Sequence, residues 1–200
     1  MLSSIAALHR RARFRRWFGV HLAVAVAVFV AGVLLGVGIV EAIPLATLAE
    51  WAAGAESPLP DRITFWTIFT NNVRAMALMF LGSITLGVLS LFGLFLNGVI
   101  LGFVGNAALA RTSPLVFAAL VVPHGIIELP ALFVAGALGL RVAHRIARWL
   151  LAYDDRPLTS VEAYELVVLL TVLTVAIAVA AYIEATYTLA IADRVGDVPR

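Results

Sequence analysis

Apolar residues in this chain come in long uninterrupted runs, not in the spacing of a half-buried helix or an alternating strand. The first run, residues 18–40, holds 23 residues. That is enough for a helix to cross about 30 Å of hydrocarbon. A second run spans 73–96 and ends at Asn97-Gly98. A third, 98–111, has only the 12 apolar residues from Val99 to Ala110 before Arg111-Thr112-Ser113-Pro114 turns the chain. Twelve residues rise about 18 Å, so this helix is expected to be short or partly re-entrant. Residues 115–141 are apolar again but carry Pro123-His124-Gly125 and Glu128-Leu129-Pro130. Each proline removes a backbone donor, which predicts one long, broken helix. The last run covers 164–185. The expected fold is an all-α polytopic membrane helical bundle of about five transmembrane helices, N-terminus inside and C-terminus outside.

The segments between the runs differ in kind. Residues 1–17 carry Arg10, Arg11, Arg13, Arg15 and Arg16. The apolar run behind them is too long for a signal peptide and no A-x-A site ends it, so it reads as a retained first span. Residues 41–65 hold Glu41, Glu50, Glu56 and Asp61 against Arg62, with three prolines. They read as an exported loop, with Leu45, Leu48 and Trp51 suited to a short surface helix. In 141–156, Arg141, His144, Arg145 and Arg148 share one helical face. This is either an amphipathic helix on an anionic membrane surface or an extension of the preceding span. Residues 18–192 then form one transmembrane domain, and 193–200 an exported tail.

Composition sharpens the class. The 200 residues are 62% hydrophobic and 13% charged, with a mean hydropathy of +1.03. Soluble domains are about 45–50% apolar and about 25% charged, so soluble and disordered classes are excluded. There is no cysteine, hence no disulfide framework and no thiolate site. All 14 basic residues are arginine. Nine fall in the predicted inner segments and four in the outer ones, with Arg74 just inside the membrane. That bias puts the N-terminus in the cytoplasm of a plasma-membrane protein. The tryptophans (17, 51, 66, 149) and tyrosines (153, 164, 182, 187) fall near predicted interfaces.

Within the spans, Gly32-x-x-x-Gly36 and Gly98-x-x-x-Gly102 are close-approach patterns, and Gly125, Gly136 and Gly139 line the fourth helix. They predict tight packing inside one chain more than a homo-oligomer face. Polar residues in lipid are costly and face the interior. They are Asn71, Asn72, Arg74, Asn97, Asn106, His124, Glu128 and Glu184. Equal predicted depth suggests that Arg74 pairs with Glu184. His124 and Glu128, four apart, share a helix face. They suit a proton relay, half of a metal site, or structural contacts to broken-helix backbone. One imidazole and one carboxylate fall short of the three protein ligands of a catalytic zinc, so no metal and no cofactor is expected. No phosphate loop, H-E-x-x-H or G-x-S-x-G occurs. The arginine cluster beside a span marks topology and lipid contact, not nucleic acid.

Several of these residues together resemble a known family. They are Asn71-Asn72-Val73-Arg74, Leu96-Asn97-Gly98-x-x-x-Gly102, Pro123-His124-Gly125-Ile126-Ile127-Glu128-Leu129-Pro130, Ala135-Gly136-Ala137-Leu138-Gly139-Leu140 and Ile183-Glu184-Ala185. The pattern is similar to the stage II sporulation protein M family over roughly residues 15 to 190, nearly the whole chain. The resemblance implies an integral membrane protein of about five helices with no established enzymatic activity. Its namesake works in engulfment with the peptidoglycan-degrading stage II sporulation proteins D and P, as a membrane anchor. Many relatives occur in organisms that make no spores, so the name carries no process here. The family's motif residues fall on Asn71, Asn72, Asn97, Gly98, His124, Gly125, Glu128 and Glu184, and no catalytic role comes with them.

Three functional readings follow. The first is a non-enzymatic scaffold whose outer loop (41–65) and cytoplasmic segment (141–160) face membrane or envelope proteins. The second is a small transporter or channel subunit with a mid-membrane polar site at His124 and Glu128. The third is an intramembrane metal-dependent hydrolase.

Overall fold

The computed structural model describes residues 2–43, 47 and 64–195. The elements are α1 (Leu2–Arg11), a 3-10 turn (Phe14–Trp17), α2 (Gly19–Ala42), α3 (Phe65–Leu81), α4 (Val88–Leu109), α5 (Pro114–Leu150), α6 (Ser160–Ile183), a π turn (Glu184–Thr188) and α7 (Leu189–Val195). Among the described residues there is no strand. The proposed surface helix around Leu45, Leu48 and Trp51 lies outside the described residues, as do 196–200 of the tail. Asp193 to Val195 close α7.

Four helices are long and apolar enough to cross a membrane: α2, α4, α5, and α6 continued through Thr188. Helix α3, with 17 residues, rises about 26 Å and packs beside them. It starts with a capping box in which Thr64 and Thr67 each satisfy the other's backbone N–H.

The second and third helices are divided elsewhere than the sequence pattern predicts. The break falls at 82–87, not at Asn97-Gly98, which lie inside α4. At the reversal Gly87 has φ +97°, in the left-handed region where only glycine is unstrained. Its N–H donates to the Gly82 carbonyl at 2.7 Å. Ser90 Oγ crosses the turn to donate to the Met79 carbonyl at 2.5 Å. Ile84 and Leu86 sit within this reversal, so its hydropathy resembles that of a span. The recut gives α4 22 residues, about 33 Å of rise. The third apolar run is thus part of a full-length helix, and the shorter of the pair is α3 with 17 residues.

Helix α5 is also continuous, not broken, through Pro123 and Pro130. An interior proline deletes one hydrogen bond but its fixed φ is helical, and the remaining ladder carries the chain through. Its 37 residues rise about 55 Å, so the helix projects well beyond a bilayer at one end. Residues 141–150 are that extension and not a separate surface helix.

Glycine contacts set the helix directions. A Cβ on Gly32 or Gly36 would overlap the carbonyls of Phe95 and Val99, and one on Gly98 or Gly102 those of Phe29 and Val33. Numbers rise together on both helices, so α2 and α4 run parallel with backbones touching. On α5, Gly136 meets Leu94 and Gly139 meets Met79 and Ser90, so α5 runs opposite to α4 and alongside α3. Gly125 is buried but meets only Val121 of its own helix at 3.6 Å, so it supports no helix crossing. Two apolar cores result. One joins Met76, Ala131, Ala135, Leu138, Leu166, Leu173 and Ile177 with Trp17; the other joins Ala25, Met79, Leu94, Leu132 and Ala137. Helix α5 supplies more buried residues to each than any other helix, which makes it the axis of the bundle.

Adding a methyl at the α2–α4 seam forces two backbones apart. Gly102→Ala is expected to cost about 1–3 kcal/mol. Gly38→Ala, where nothing lies within 4 Å, should melt like the wild type. Thermal unfolding in detergent, tracked by circular dichroism, compares the two.

Candidate functional site

Polar side chains gather at opposite ends of the bundle. One end is rich in arginine and is organised by Glu165, a fully buried residue in the second turn of α6. Its carboxylate accepts from Trp17 Nε1 at 3.0 Å and from the Arg13 backbone N–H, and pairs with the Arg16 guanidinium. The Arg141 guanidinium lies 5.9 Å from the centre of the Trp17 ring. Next to it, Glu162 pairs with Arg145 at 3.4 Å and Arg141 at 3.9 Å. Glu162 Oε2 also accepts from the Thr159 N–H at 2.9 Å, closing the capping box of α6. Asp154 pairs with Arg145 at 2.8 Å and Arg148 at 2.9 Å.

The hydrogen bonds from Arg148 hold the Asp154 carboxyl below the usual carboxylate range. Its pairing therefore supports the fold above that range and is lost as pH falls through the lowered value.

From the sequence alone these arginines read as topology and lipid contact, and Glu162 and Glu165 do not stand out. A signal existed. Thr159-Ser160-Val161-Glu162 is the T-x-x-E pattern of a helix start, and Glu165 is a carboxylate inside an otherwise apolar run.

The opposite end holds His124 and Glu128, one turn apart on α5, and Glu184, the first residue of the π turn. One ligand-type atom from each lies within 4.8 Å of the others. His124 Nε2 is 3.9 Å from Glu184 Oε2. From α3, the buried amide of Asn72 faces the Glu128 carboxylate. The π turn admits one extra residue per turn, a distortion that recurs at functional sites.

The other predicted site residues go elsewhere. Asn97 Nδ2 donates to the Gly93 carbonyl of its own helix at 2.8 Å. Asn106 Nδ2 reaches the Val37 carbonyl at 3.4 Å, a tie between α4 and α2. Asn71 and Arg74 are exposed. The expected Arg74–Glu184 pair does not form. Arg74 sits two residues, about 200° of helix, from Asn72 and so points away from the cluster. Glu184 meets His124 instead.

Four helices long and apolar enough to cross a membrane, with most of the charged side chains gathered in two clusters, define an integral membrane protein. The model of the stage II sporulation protein M family matches residues 25–189, and the chain belongs to that family. It is also similar to an uncharacterised protein of Methanocaldococcus jannaschii, with 31% identity over 128 residues, 64% of this chain and 72% of the relative. No solved structure matches.

Removing the Glu165 carboxylate leaves Trp17 and Arg16 without their acceptor in a buried setting. Glu165→Ala should destabilise the fold by about 3 kcal/mol, the lower end for a broken buried pair, since Arg16 is 32% exposed. The melting temperature reads this loss, and proteolysis should then cut near residues 11–17 in the variant before the wild type.

Proposed function

We propose that this chain is a non-enzymatic scaffold or anchor in the plasma membrane, with a cytoplasmic N-terminus and surfaces for other membrane or envelope proteins. The observation that carries this reading is how the helices meet. The α2 and α4 backbones touch through four glycines, and Glu165 ties the N-terminal segment to α6. Such a bundle is rigid, as a platform for partners needs to be. Family membership supports the same reading, since the namesake anchors partner proteins. Orientation rests on the arginine-rich end, because basic residues mark the cytoplasmic side whether or not carboxylates pair with them.

One observation favours a second reading, a small transporter or channel subunit. His124, Glu128 and Glu184 converge at half-buried positions of the apolar helices, and an anchor has no need of ionisable groups there.

Crosslinking in native membranes separates the two. A scaffold should yield specific partner proteins captured through residues 41–65 or 141–160. Self-crosslinks alone, together with loss of ion flux in a folded Glu128→Gln protein, would instead favour the transport subunit. For orientation, Thr112→Cys should react with an impermeant thiol reagent from outside intact cells, and Ala152→Cys only after permeabilisation. The chain has no cysteine of its own to interfere.

A further inference from the structure

We propose that His124, Glu128 and Glu184 form a binding site for one divalent transition-metal cation, with Asn72 as its polar backing. The donors come from separate parts of the chain, one turn of α5 and the π turn beyond α6. They nonetheless bring one imidazole nitrogen and two carboxylate oxygens within 4.8 Å of one another. Around a tetrahedral ion with bonds of 2.0–2.2 Å, ligand atoms stand roughly 3.4 Å apart. Small side-chain rotations close that gap.

One orphaned group points independently to a ligand. His124 Nδ1 is buried without a partner. Asn72, 7% exposed on a third helix, directs its side-chain amide at the Glu128 carboxylate and so holds that donor in place. Buried polar atoms left unpaired in a folded protein call for an unseen water or ion. Electrostatics adds the sign. Two carboxylates converge here, and among the described residues no arginine pairs with either Glu128 or Glu184. In a low-dielectric setting such a pair repels, and a divalent cation neutralises both members.

The donor set selects the cation class. One imidazole with two carboxylates and no thiolate suits Zn²⁺ or Mn²⁺. It lacks the six to eight oxygens of a calcium site. The sequence alone supplied two ligands; the fold supplies Glu184 as the third. A bound ion would clip the end of α6 to α5, and this holds whether or not the chain serves as a scaffold.

The test uses the full chain, purified in detergent and stripped with a chelator. Zn²⁺ and Mn²⁺ are titrated separately, and bound metal is counted by mass spectrometry after desalting. Wild type should hold about one equivalent of one of these ions and melt at a higher temperature when loaded. Glu128→Gln and Glu184→Gln should bind at least tenfold more weakly. Stripped of metal, they should melt at or above the stripped wild type, because one repelling charge is gone. That result separates a lost ligand from a lost fold. His144 Nδ1 lies 3.3 Å from His21 Nε2 at the other end, so His144→Asn tests for binding there and should leave the stoichiometry unchanged. The proposal is overturned if stripped wild type takes up no stoichiometric Zn²⁺ or Mn²⁺, a result that needs no variant. It also fails if both glutamine variants bind like wild type, or if His144→Asn alone abolishes binding. Partner capture is unaffected by any of these outcomes.

Discussion

The direct contact of two parallel helix backbones, α2 against α4, is the constraint from which the rest of this architecture follows. Lipid offers no hydrophobic drive for helices to associate, so packing surface and short approach must hold them. Gly32, Gly36, Gly98 and Gly102 provide that approach, each facing a carbonyl of the opposing helix. Parallel neighbours in direct contact require the chain to return between them, and α3 makes that return from 65 to 81. It then reverses at 82–87, where Gly87 takes a conformation closed to other residues without strain. The small residues of α5 pack on this assembly, with Gly136 and Gly139 against Leu94, Met79 and Ser90.

With the helices so close, polar groups have room only where the packing opens. The two ends treat charge differently. At the arginine-rich end, carboxylates and guanidiniums are matched: Glu165 with Arg16, Glu162 with Arg141 and Arg145, Asp154 with Arg145 and Arg148. Breaking one partner there leaves an uncompensated charge, so these pairs set the geometry between the N-terminal segment, α5 and α6. At the other end the balance is missing. Two carboxylates and an imidazole converge with only an amide behind them. One end is a clamp; the other is an unneutralised cluster.

Much of this was legible in the chain. The long apolar runs revealed the class because crossing hydrocarbon demands about 20 apolar residues in a row. The glycine spacing marked the close approaches. His124 and Glu128 were legible as a pair because helical periodicity alone puts residues four apart on one face. The reversal at 82–87 was hidden because Ile84 and Leu86 kept its hydropathy high, while Asn97-Gly98 looked like a helix end. In α4 that asparagine bonds to its own helix and that glycine meets α2. Hydropathy measures solvent preference and carries no record of backbone direction.

What the sequence determined by itself is therefore the solvent and the local periodicity: a membrane protein, its faces and its close-approach positions. Only the tertiary structure decided which distant residues meet. Arg74 and Glu184 share an expected depth, but Arg74 points away from the cluster, so the pair inferred from depth does not form, and His124 takes the place beside Glu184. Glu165 read as one carboxylate in an apolar run until the fold brought Trp17 and Arg16 to it across 148 and more positions of chain. Depth in a bilayer is a one-dimensional property that a sequence encodes directly. Which face of which helix meets another depends on packing among all of them at once.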